Sequence, residues 1–441
     1  MAYLMIEKVY LFTYSTLMIL IYWKWRVGAW LEKLLTHLGL PYQICDDSDR
    51  PSSYEDYDII IPAPWIPCTH EVYSTGKVVS ELDFCSRYFP KSTYIITISG
   101  TDGKSTVTWM IYNLIKNIKN PEKVHISGNF EYPLSDTLTQ ILKLPPDERE
   151  DHIIVVEVSS FMAYSLMEFS PDMTIITNLE SDHLNWHRNL EEYFLSKANL
   201  IIRAKDGAFI TNQVQTKLQE IGYHFPENIS LYGVGVQESY PTISIDTEHS
   251  IDIRETHFLG VHNAVNIDWA LHIIKRFIQN GEDREKIVTK LTSLPWLPHR
   301  LEAISNAHDR IWIDDSKSTS CQSLRAALSG YLGNKVILIA GGSDKWDPFD
   351  ALEVSLRDSV EYVILIGATK EILANKCQKA GVAYSESTSM HDAVEQAYVH
   401  SHVWQTILLS PGCASFGMFR DYLDRAEQFR EAVKLLAQQK K

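Results

Sequence analysis

Cysteine pairs, basic charge and long apolar runs are all scarce in this chain. Its six cysteines are scattered over 441 residues, and none belongs to a Cys-x-x-Cys pair. The sequence therefore offers no zinc signature and fits a reducing, cytoplasmic location. Acidic residues outnumber basic ones, 56 to 41, which gives a formal net charge of −15. Nucleic acid and anionic membranes are not expected as partners, and an anionic substrate must meet a local cluster of cations and backbone amides.

The most apolar segment is too short for an ordinary membrane span. Residues 9–23, VYLFTYSTLMILIYW, carry no charge, but a spanning helix needs about 20 apolar residues. Little positive charge precedes the run and it has no small-residue cleavage site, so a signal peptide is not expected. We interpret the run as a buried strand and the start of a helix, and membrane contact is not expected. An N-terminal anchor before Lys24 and Arg26 is the alternative.

Alternating strands and helices predict an α/β protein of three domains. Residues 1–91 show a βαβ-like rhythm and predict an atypical Rossmann-like domain. Residues 92–297 begin with a glycine-rich loop and predict a P-loop ATPase domain with a mostly parallel sheet. Residues 298–441 predict a second Rossmann-like, doubly wound domain. The strands predicted in the last two domains are Tyr94–Ser99, 153–158, 173–177, 208–211, Ile311–Asp314, 335–340, 362–367 and Thr406–Leu409, and two of the helices are 351–356 and 390–397.

The segment ITISGTDGKST, residues 96–106, is a candidate phosphate-binding loop. Backbone N–H groups of such a loop and of the following helix point at phosphate oxygens. Lys104 would reach the β- and γ-phosphates, and the Ser105 hydroxyl would ligate Mg²⁺. The usual spacing is Gly-x-x-x-x-Gly-Lys-[Ser/Thr], but the first glycine position is occupied by Ile98. From this segment alone, an ordinary turn before a helix is the alternative.

Three polar side chains elsewhere in the middle domain are candidates for the same site. Glu157 ends the apolar strand HIIVVEVSS, where a P-loop enzyme places a carboxylate beside its metal. A lone glutamate is rare in a buried strand unless something pairs with it. His183, in TNLESDHLNWH, is either a metal ligand or a capped surface histidine. Lys197 lies on a predicted helix among apolar residues, and by itself it resembles a lysine whose amine extends to solvent.

Eight motifs occur in the order found in the Mur ligase family: ISGTDGKST, VVEVSSF, TNLESDHL, FLGVHNAVN, LPHRLE, WIDDSKSTS, AGGSDKWDPF and LLSPGCASFGMFRDYLDRAEQF. The chain resembles this family, and within it the branch that adds D-glutamate. The resemblance implies an ATP-dependent, ADP-forming amide ligase of cytoplasmic peptidoglycan precursor synthesis. Its small-molecule partners would be UDP-N-acetylmuramoyl-L-alanine and D-glutamate, its cofactors ATP and Mg²⁺, and its reaction would pass through an acyl phosphate. A monomer is expected.

The resemblance also implies roles for individual residues. ATP would be bound by Gly100, Thr101, Asp102, Gly103, Lys104, Ser105, Thr106, Asn263, Asn266, Arg300 and Asp315. The metal ligands would be Ser105, Glu157, His183 and Lys197, the last as a carbamate formed with CO₂. The muramoyl substrate and the incoming amino acid would be bound by Asn129, Ser159, His183, Lys317, Thr319, Lys345, Ser415, Phe416 and Tyr422. The catalytic candidates are Lys104, Glu157, His183, Lys197 and Arg300.

The sequence departs from the family pattern mainly in its first domain. Gly28 is the only glycine before Gly39, so the glycine-rich turn that receives UDP in the family is missing. Trp65, in PAPWIP, stands where the family has a glycine, and it cannot adopt the φ > 0 conformations that glycine adopts freely. UDP binding is therefore expected to be remodelled or weakened. Asp102 replaces the usual Asn of the loop and Met162 the usual Gln of SSFQ, but neither change removes a charged catalytic group.

Three alternatives stay open at this point. The chain could be another amide ligase of the Mur and folylpolyglutamate superfamily, one that adds L-glutamate or uses a different carrier. The motifs DYAHHP and DNPR of the alanine- and diaminopimelate-adding branches are absent, and folylpolyglutamate synthetases lack LLSPGCASFGMF. It could be a degenerate, non-catalytic binding protein, although the five charged catalytic candidates argue against this. It could be membrane-tethered, which rests on residues 9–23 alone.

Overall fold

The computed structural model describes residues 17–23, 26–130, 132–184, 186–226, 231–232, 242–245, 249–256, 258, 261–295, 297–343, 349, 352–415 and 417–439. The candidate residues Lys345 and Phe416 and residues 9–16 of the apolar run lie outside this set. The chain forms two compact units, Met1–Thr256 with Val261–Leu294, and His257–Gly260 with Pro295–Lys441. The boundaries predicted for three domains, 1–91, 92–297 and 298–441, stay a prediction.

The first unit contains the strands β1 (Ile19–Tyr22), β2 (Tyr42–Cys45), β3 (Ile59–Pro62), β4 (Tyr94–Ser99), β5 (Val124–Gly128), β6 (Ile153–Glu157), β7 (Met173–Ile176), β8 (Gly207–Ile210), β9 (Leu231–Tyr232), β10 (Thr242–Ser244) and β11 (Ser250–Asp252). Its helices are α1 (Arg26–Leu38), α2 (Glu81–Ser86), α3 (Lys104–Ile118), α4 (Leu134–Lys143), α5 (Ser160–Tyr164), α6 (Leu190–Ala198), α7 (Asn212–Glu220), α8 (Val261–Ile274) and α9 (Gly281–Ser293).

The second unit contains the strands β12 (Glu302–Ser305), β13 (Ile311–Asp314), β14 (Val336–Gly342), β15 (Val360–Gly367), β16 (Ala383–Glu386) and β17 (Thr406–Leu409). Its helices are α10 (Cys321–Ser329), α11 (Leu352–Ser359), α12 (Lys370–Ala380), α13 (Met390–His400) and α14 (Tyr422–Gln439). The strands predicted from sequence are confirmed, with the same bounds for β4, β13 and β17. Both predicted helices extend further towards the C terminus, to Ser359 in α11 and to His400 in α13.

The described part of the apolar run is a buried strand, as interpreted from the sequence. All of β1 is buried, and it pairs in parallel with β2 on one side and β3 on the other. Ile19 and Ile21 belong to one apolar cluster, and Leu20 and Tyr22 belong to another. Successive side chains of a strand point to opposite faces, so a strand buried on both faces is apolar throughout. No helix among the described residues is long and apolar enough to cross a membrane.

The larger sheet of the first unit is wholly parallel, with the strand order β5-β6-β4-β7-β8-β9 among the described residues. The glycine-rich loop follows β4, which pairs with β6 on one side and β7 on the other. The chain leaves β4 for β5 and β6 on one side, and later returns to β7 on the other. In open α/β sheets, ligands bind at the carboxyl edge where the strand order reverses. The sheet therefore brings the segments after β4, β6 and β7 to one edge.

The sheet of the second unit has the order β12-β13-β17-β14-β15-β16, in which β12 is antiparallel to β13 and the other described pairs are parallel. Its central strand β14 is buried along its length. Leu338 and Ala340 pack into one apolar cluster, and Ile337 and Ile339 into another. Helices therefore cover both faces, which confirms the predicted doubly wound architecture. The segments after β13 and β17 meet at one carboxyl edge.

Candidate functional site

Two glycines give the loop after β4 a shape that other residues cannot adopt without strain. Gly100 has φ 134° and Gly103 has φ 79°. A β-carbon at Gly100 would lie 2.0 Å from Thr177 Oγ1, and one at Gly103 would lie 2.7 Å from Asn266 Oδ1. Ile98, at the irregular motif position, lies inside β4 and is fully buried. The first glycine position of the motif therefore falls inside the strand β4, and the loop begins after that strand ends.

The loop is held by a Thr-Asn pair that follows β7 and that the sequence analysis did not single out. Asn178 Oδ1 accepts the backbone N–H groups of Thr101 and Asp102, at 3.2 and 2.9 Å. Thr177 Oγ1 and Asn178 Nδ2 donate to the carbonyl oxygen of Asp102, at 2.5 and 3.1 Å. These bonds use the backbone of Asp102, so they do not depend on Asn at that position. A polar pair directly after the strand next to β4 was the signal that could have identified them.

Two lysines reach carbonyl oxygens of this loop. Lys104 Nζ donates to the carbonyl oxygen of Thr101 at 2.6 Å, and Lys197 Nζ donates to that of Gly100 at 2.6 Å. Lys197 is 1% exposed, and its Nζ lies 4.7 Å from the ring centroid of Tyr193. The interpretation of Lys197 as an amine that extends to solvent is therefore wrong. Burial, and then the charge of Lys104, lower the pKa of Lys197 well below its usual value.

Glu157 is buried at the end of β6, beside the neighbouring strand β5. Its Oε1 accepts a hydrogen bond from Asn129 Nδ2 at 2.9 Å, and its carbonyl oxygen accepts the N–H of Asn129 at 2.8 Å. Asn129 thus lies against the candidate metal carboxylate. Ser105 is buried in the first turn of α3. A hydroxyl and a carboxylate are oxygen donors of the kind that Mg²⁺ prefers, so these residues fit the ion.

The histidines after β7 occupy two different environments. His183 takes a left-handed conformation, with φ 55°, and its side chain is 39% exposed and lies 3.3 Å from the Asp182 carboxylate. His187 is buried, and its Nε2 lies 2.9 Å from Ser160 Oγ. Burial lowers the pKa of His187 to about 4, so this imidazole is neutral at pH 7. Ser159 begins α5 by accepting the N–H of Met162 at 3.2 Å.

Asn263 and Asn266, two of the candidate ATP-binding residues, lie on the helix α8. Asn263 and Asn266 are both buried on α8, and Asn266 Nδ2 donates to Asn263 Oδ1 at 3.2 Å. A β-carbon at Gly103 would contact Asn266, so this asparagine limits the space beside the loop. The first unit therefore brings together the loop residues, Glu157, Lys197 and Asn266.

Four further candidates that the structure describes follow strands of the second unit, at the carboxyl edge of its sheet. Asp315, Lys317 and Thr319 follow β13, and Ser415 follows β17. Lys317 Nζ lies 5.7 Å from the ring centroid of Tyr422. Asp315 accepts hydrogen bonds from Ser410 Oγ and the Leu301 N–H, at 2.7 and 3.2 Å. Burial raises the pKa of Asp315 to about 7, although the Ser410 bond and the charge of Arg300 oppose this shift.

Arg425 is a fully buried cation that the sequence analysis did not single out. Its guanidinium donates to Ser316 Oγ, to the carbonyl oxygen of Ser316 and to that of Cys413, at 3.1, 2.7 and 3.0 Å. Burial lowers the pKa of Arg425 to about 10. Its three bonds join the segment after β13 to the segment after β17. The sequence offered one signal for Arg425, because a charged residue within the apolar pattern of α14 indicates a buried cation.

Replacing Gly100 by alanine should destabilise the first unit and weaken nucleotide binding. The new β-carbon would meet Thr177 in a conformation that costs about 1–3 kcal/mol for a non-glycine residue, so the loop must move. Thermal unfolding and titration of ADP would measure both effects. Gly222→Ala is the matched control, since Gly222 also has a left-handed φ of 77° but has no atom within 4 Å of a β-carbon. Equal destabilisation by the two variants would contradict the close packing of Gly100.

The parallel sheet, its glycine-rich loop and the lysine at the start of α3 define a P-loop α/β nucleotide-binding protein. Residues 98–274 match the family model described as Mur ligase middle domain. The UDP-N-acetylmuramoylalanine–D-glutamate ligase of Aquifex aeolicus is 30% identical over 428 residues, which cover 93% of this chain and 97% of that protein. The enzyme of the same name from Bacillus cytotoxicus is 30% identical over 392 residues, which cover 85% and 83%.

Two solved structures share the fold at lower identity. The MurF ligase of Thermotoga maritima in complex with ADP has 14% identity and a TM-score of 0.58, with 96% of each chain covered. A pseudomurein peptide ligase type C from Methanothermus fervidus has 16% identity and a TM-score of 0.56, with 95% of this chain and 99% of that chain covered. The chain belongs to the Mur ligase family.

Proposed function

We propose that this chain is an ATP-dependent ligase that joins D-glutamate to UDP-N-acetylmuramoyl-L-alanine in cytoplasmic peptidoglycan precursor synthesis. Relatives named for this reaction align along nearly the whole chain. The observation that carries the proposal is the site at the edge of the first unit's sheet. There the candidate phosphate-binding loop and Lys104 lie with Lys197, which is buried, and with the buried carboxylate of Glu157.

The first step would be transfer of a phosphoryl group. A carboxylate oxygen of the muramoyl-alanine attacks the γ-phosphorus of ATP, the bond to the bridging oxygen breaks, and ADP leaves with both electrons of that bond. The product is an acyl phosphate. Such a transfer depends mainly on positioning and on stabilisation of the phosphate charge. Lys104 and the loop N–H groups would supply that stabilisation, and Arg300 is the further cation that the family resemblance implies for the phosphates.

The second step would form the amide bond. The amine of glutamate attacks the acyl carbon, a tetrahedral intermediate forms, and inorganic phosphate leaves as the carbonyl is restored. Glutamate carries two carboxylates, which need several cationic and hydroxyl donors. Lys317 beside Tyr422 would supply one of the cations. The resemblance implies Thr319, Lys345, Ser415 and Phe416 as further residues of the amino-acid pocket.

Ser105, Glu157 and His183 are the residues that we expect to hold Mg²⁺. The ion would neutralise phosphate charge and orient the γ-phosphoryl group. Ser105 and Glu157 would offer oxygen ligands and His183 a nitrogen ligand, and neighbouring residues orient these side chains. Asn129 orients the Glu157 carboxylate by its 2.9 Å hydrogen bond, which binds one of the two carboxylate oxygens. Asn129 therefore has a positioning role here in addition to its predicted contact with the substrate.

Lys197 would act as a carbamate. Its neutral amine attacks CO₂, a C–N bond forms and one proton is released, so that a cation becomes a carboxylate. The reaction requires an uncharged amine, and the burial that lowers the pKa of Lys197 favours that form. A carboxylate at this position would lie near the phosphate-binding loop, where it could serve a second metal ion.

The first domain supports a second candidate, the same ligase reaction on a different carrier. The strand order β2-β1-β3 reverses at β1, and ligands of open α/β sheets bind at the carboxyl edge of such a strand. Tyr22 ends this strand fully buried, and its hydroxyl donates to Asp47 at 2.6 Å and lies 3.4 Å from His70. Trp23 takes the next position with φ 111°. Aromatic side chains therefore occupy the place where a glycine-rich turn would admit a pyrophosphate.

One assay separates these candidates. The purified chain is given ATP, Mg²⁺ and UDP-N-acetylmuramoyl-L-alanine, and release of ADP and phosphate is measured with D-glutamate, L-glutamate, L-alanine or diaminopimelate. We expect release with D-glutamate only. A parallel arm replaces the carrier by N-acetylmuramoyl-L-alanine 1-phosphate. Equal kcat/KM for the two carriers would favour the second candidate, and no release under any condition would contradict both.

A further inference from the structure

Arg300 lies in a backbone turn whose two flanking residues are both strained. His299 has φ 61° and Leu301 has φ 47°. Left-handed conformations are unfavourable for residues other than glycine, and they persist at functional sites when the surroundings over-determine them. The Arg300 N–H bonds to the carbonyl oxygen of Leu297 at 3.1 Å, which is a single bond within the turn. Other contacts must therefore hold the conformation.

Carboxylates hold each residue beside Arg300. The N–H of His299 donates to Glu302 Oε2 at 2.9 Å, and the N–H of Leu301 donates to Asp315 Oδ1 at 3.2 Å. The imidazole Nδ1 of His299 lies 2.8 Å from Asp314 Oδ2. These bonds fix the backbone on both sides of Arg300.

The same turn also holds the backbone of Lys317, the candidate cation of the amino-acid pocket. The Lys317 N–H donates to the carbonyl oxygen of His299 at 3.1 Å. The conformation of His299 therefore affects both Arg300, a candidate for binding phosphate, and Lys317, a candidate for binding the amino acid. Movement of this one residue would displace both.

Arg430, on α14, joins the carboxylates of this cluster. Its guanidinium donates to Asp314 Oδ2 through Nε at 3.0 Å and through Nη2 at 2.9 Å, and it also donates to Glu302. Asp314 is fully buried. Burial alone raises its pKa, but hydrogen bonds from His299 and Ser316 and the charge of Arg430 bring the pKa below the usual value, so Asp314 is ionised.

The cluster has the residue types of a metal site, but its cation is already an arginine. His299, Glu302 and Asp314 offer ligand atoms that all lie within 4.8 Å of one another. Arg430 is bonded to both carboxylates, and its charge would repel a second cation at this distance. We therefore assign these carboxylates to the arginine.

We propose that Arg430 is a positioning residue of the ligase, which acts through His299, Glu302 and Asp314 to hold Arg300 and the backbone of Lys317 in place. The inference rests on the proposed function in one respect, the contact of Arg300 with the phosphates. A buried carboxylate that loses its partner is strongly destabilised. Removal of Arg430 should therefore loosen the turn that Glu302 and Asp314 hold, and it should also lower the stability of the domain.

A double-mutant cycle tests the proposal with the full-length protein. Arg430→Met should lower kcat by about 10- to 100-fold, because small displacements of positioned groups cost that much. In an Arg300→Lys background the same substitution should change kcat by less than about threefold, because the coupled residue has already been altered. Arg430→Lys keeps the positive charge but loses the planar guanidinium with its several donors. Its kcat should therefore lie between those of the wild type and of Arg430→Met. Arg420→Met is the control, since Arg420 precedes the same helix and its side chain is 82% exposed.

Two outcomes of this cycle would overturn the proposal. One is an Arg430→Met variant with the kcat of the wild type. The other is an equal loss in both backgrounds, which would make Arg430 a structural residue independent of Arg300. Thermal unfolding of each variant shows whether the domain remains folded at the assay temperature. If Arg430→Met does not fold, the double-mutant cycle is measured with Arg430→Lys instead.

Amide hydrogen exchange of residues 297–302 gives a readout that does not depend on turnover. Exchange should be faster in the Arg430 variants and unchanged in Arg420→Met. Unchanged exchange in the Arg430 variants would overturn the proposal even if the ligase is active. Faster exchange in a protein without any ligase activity would support the network and contradict the proposed function, so the two failures are distinguishable.

Discussion

Replacing Lys104 by alanine is expected to lower the rate of ADP release by about 10³-fold or more, a loss in the range seen when a group that stabilises transferred phosphate charge is removed. The Lys104 amine lies on the loop, bonded to the carbonyl oxygen of Thr101 at 2.6 Å. From there it can turn to a phosphate without any change in the fold. The loss should appear mainly in kcat, because the negative charge that Lys104 meets increases as the γ-phosphoryl group is transferred.

The control for this variant lies on the same helix. Lys116 donates to the hydroxyl of Tyr112 at 2.8 Å on the exposed side of α3, and Lys116→Ala should keep the turnover of the wild type. Initial rates of ADP release with saturating ATP would be compared for both variants, with thermal unfolding as the measure of stability. Turnover near wild type in Lys104→Ala would show that the loop after β4 is not the phosphate-binding loop.

The second large effect is expected at Lys197. Lys197→Ala should be inactive, because it removes the group that we expect to become a carboxylate beside the phosphate-binding loop. Short carboxylic acids such as acetate or propionate should partly restore activity, since they can occupy the space of the missing side chain. Lys197→Arg should also be inactive, because a guanidinium does not form a stable carbamate. Measured ADP release with and without added acid is the readout.

Two further variants distinguish a loss of catalytic chemistry at Lys197 from a loss of stability. Lys197→Met keeps most of the side-chain volume and replaces a buried amine by an apolar group, so it should remain folded. Lys205→Ala is the surface control, because Lys205 is half-exposed and forms an ion pair with Asp172. Full activity of Lys197→Arg would contradict the carbamate, and full activity of Lys197→Met would contradict any chemical role for this residue.

Patterns along the chain predicted the strands and one part of the candidate site. Short apolar runs predicted β4, β13 and β17 with the bounds that the structure gives. The position of Glu157 at the end of a buried strand was readable because a charged residue there is rare. Lys104 and Ser105 were readable because the loop motif places them at the start of a helix.

Contacts between distant segments were not readable from those patterns. The pair Thr177 and Asn178 holds the loop because β7 lies next to β4, and strand order is a property of the folded sheet. Arg430 and His299 are far apart in sequence and meet only because α14 packs beside β13. The local sequence marks Thr177 and Asn178 only as a polar pair after a strand, and it does not mark Arg430 at all. Their roles depend on neighbours that the local sequence does not specify.

The sequence by itself determined which segments form strands and helices, where the candidate phosphate-binding loop lies, and which family the chain resembles. These properties follow from residue periodicity and from motifs that are short along the chain. Only the tertiary structure decided that Lys197 is buried against Gly100 and that Tyr22 is buried at the end of β1 with its hydroxyl bonded to Asp47. The environment of a side chain, and hence its charge and reactivity, is set by the segments that pack around it. For Lys197 the decisive partner lies 97 residues away along the chain.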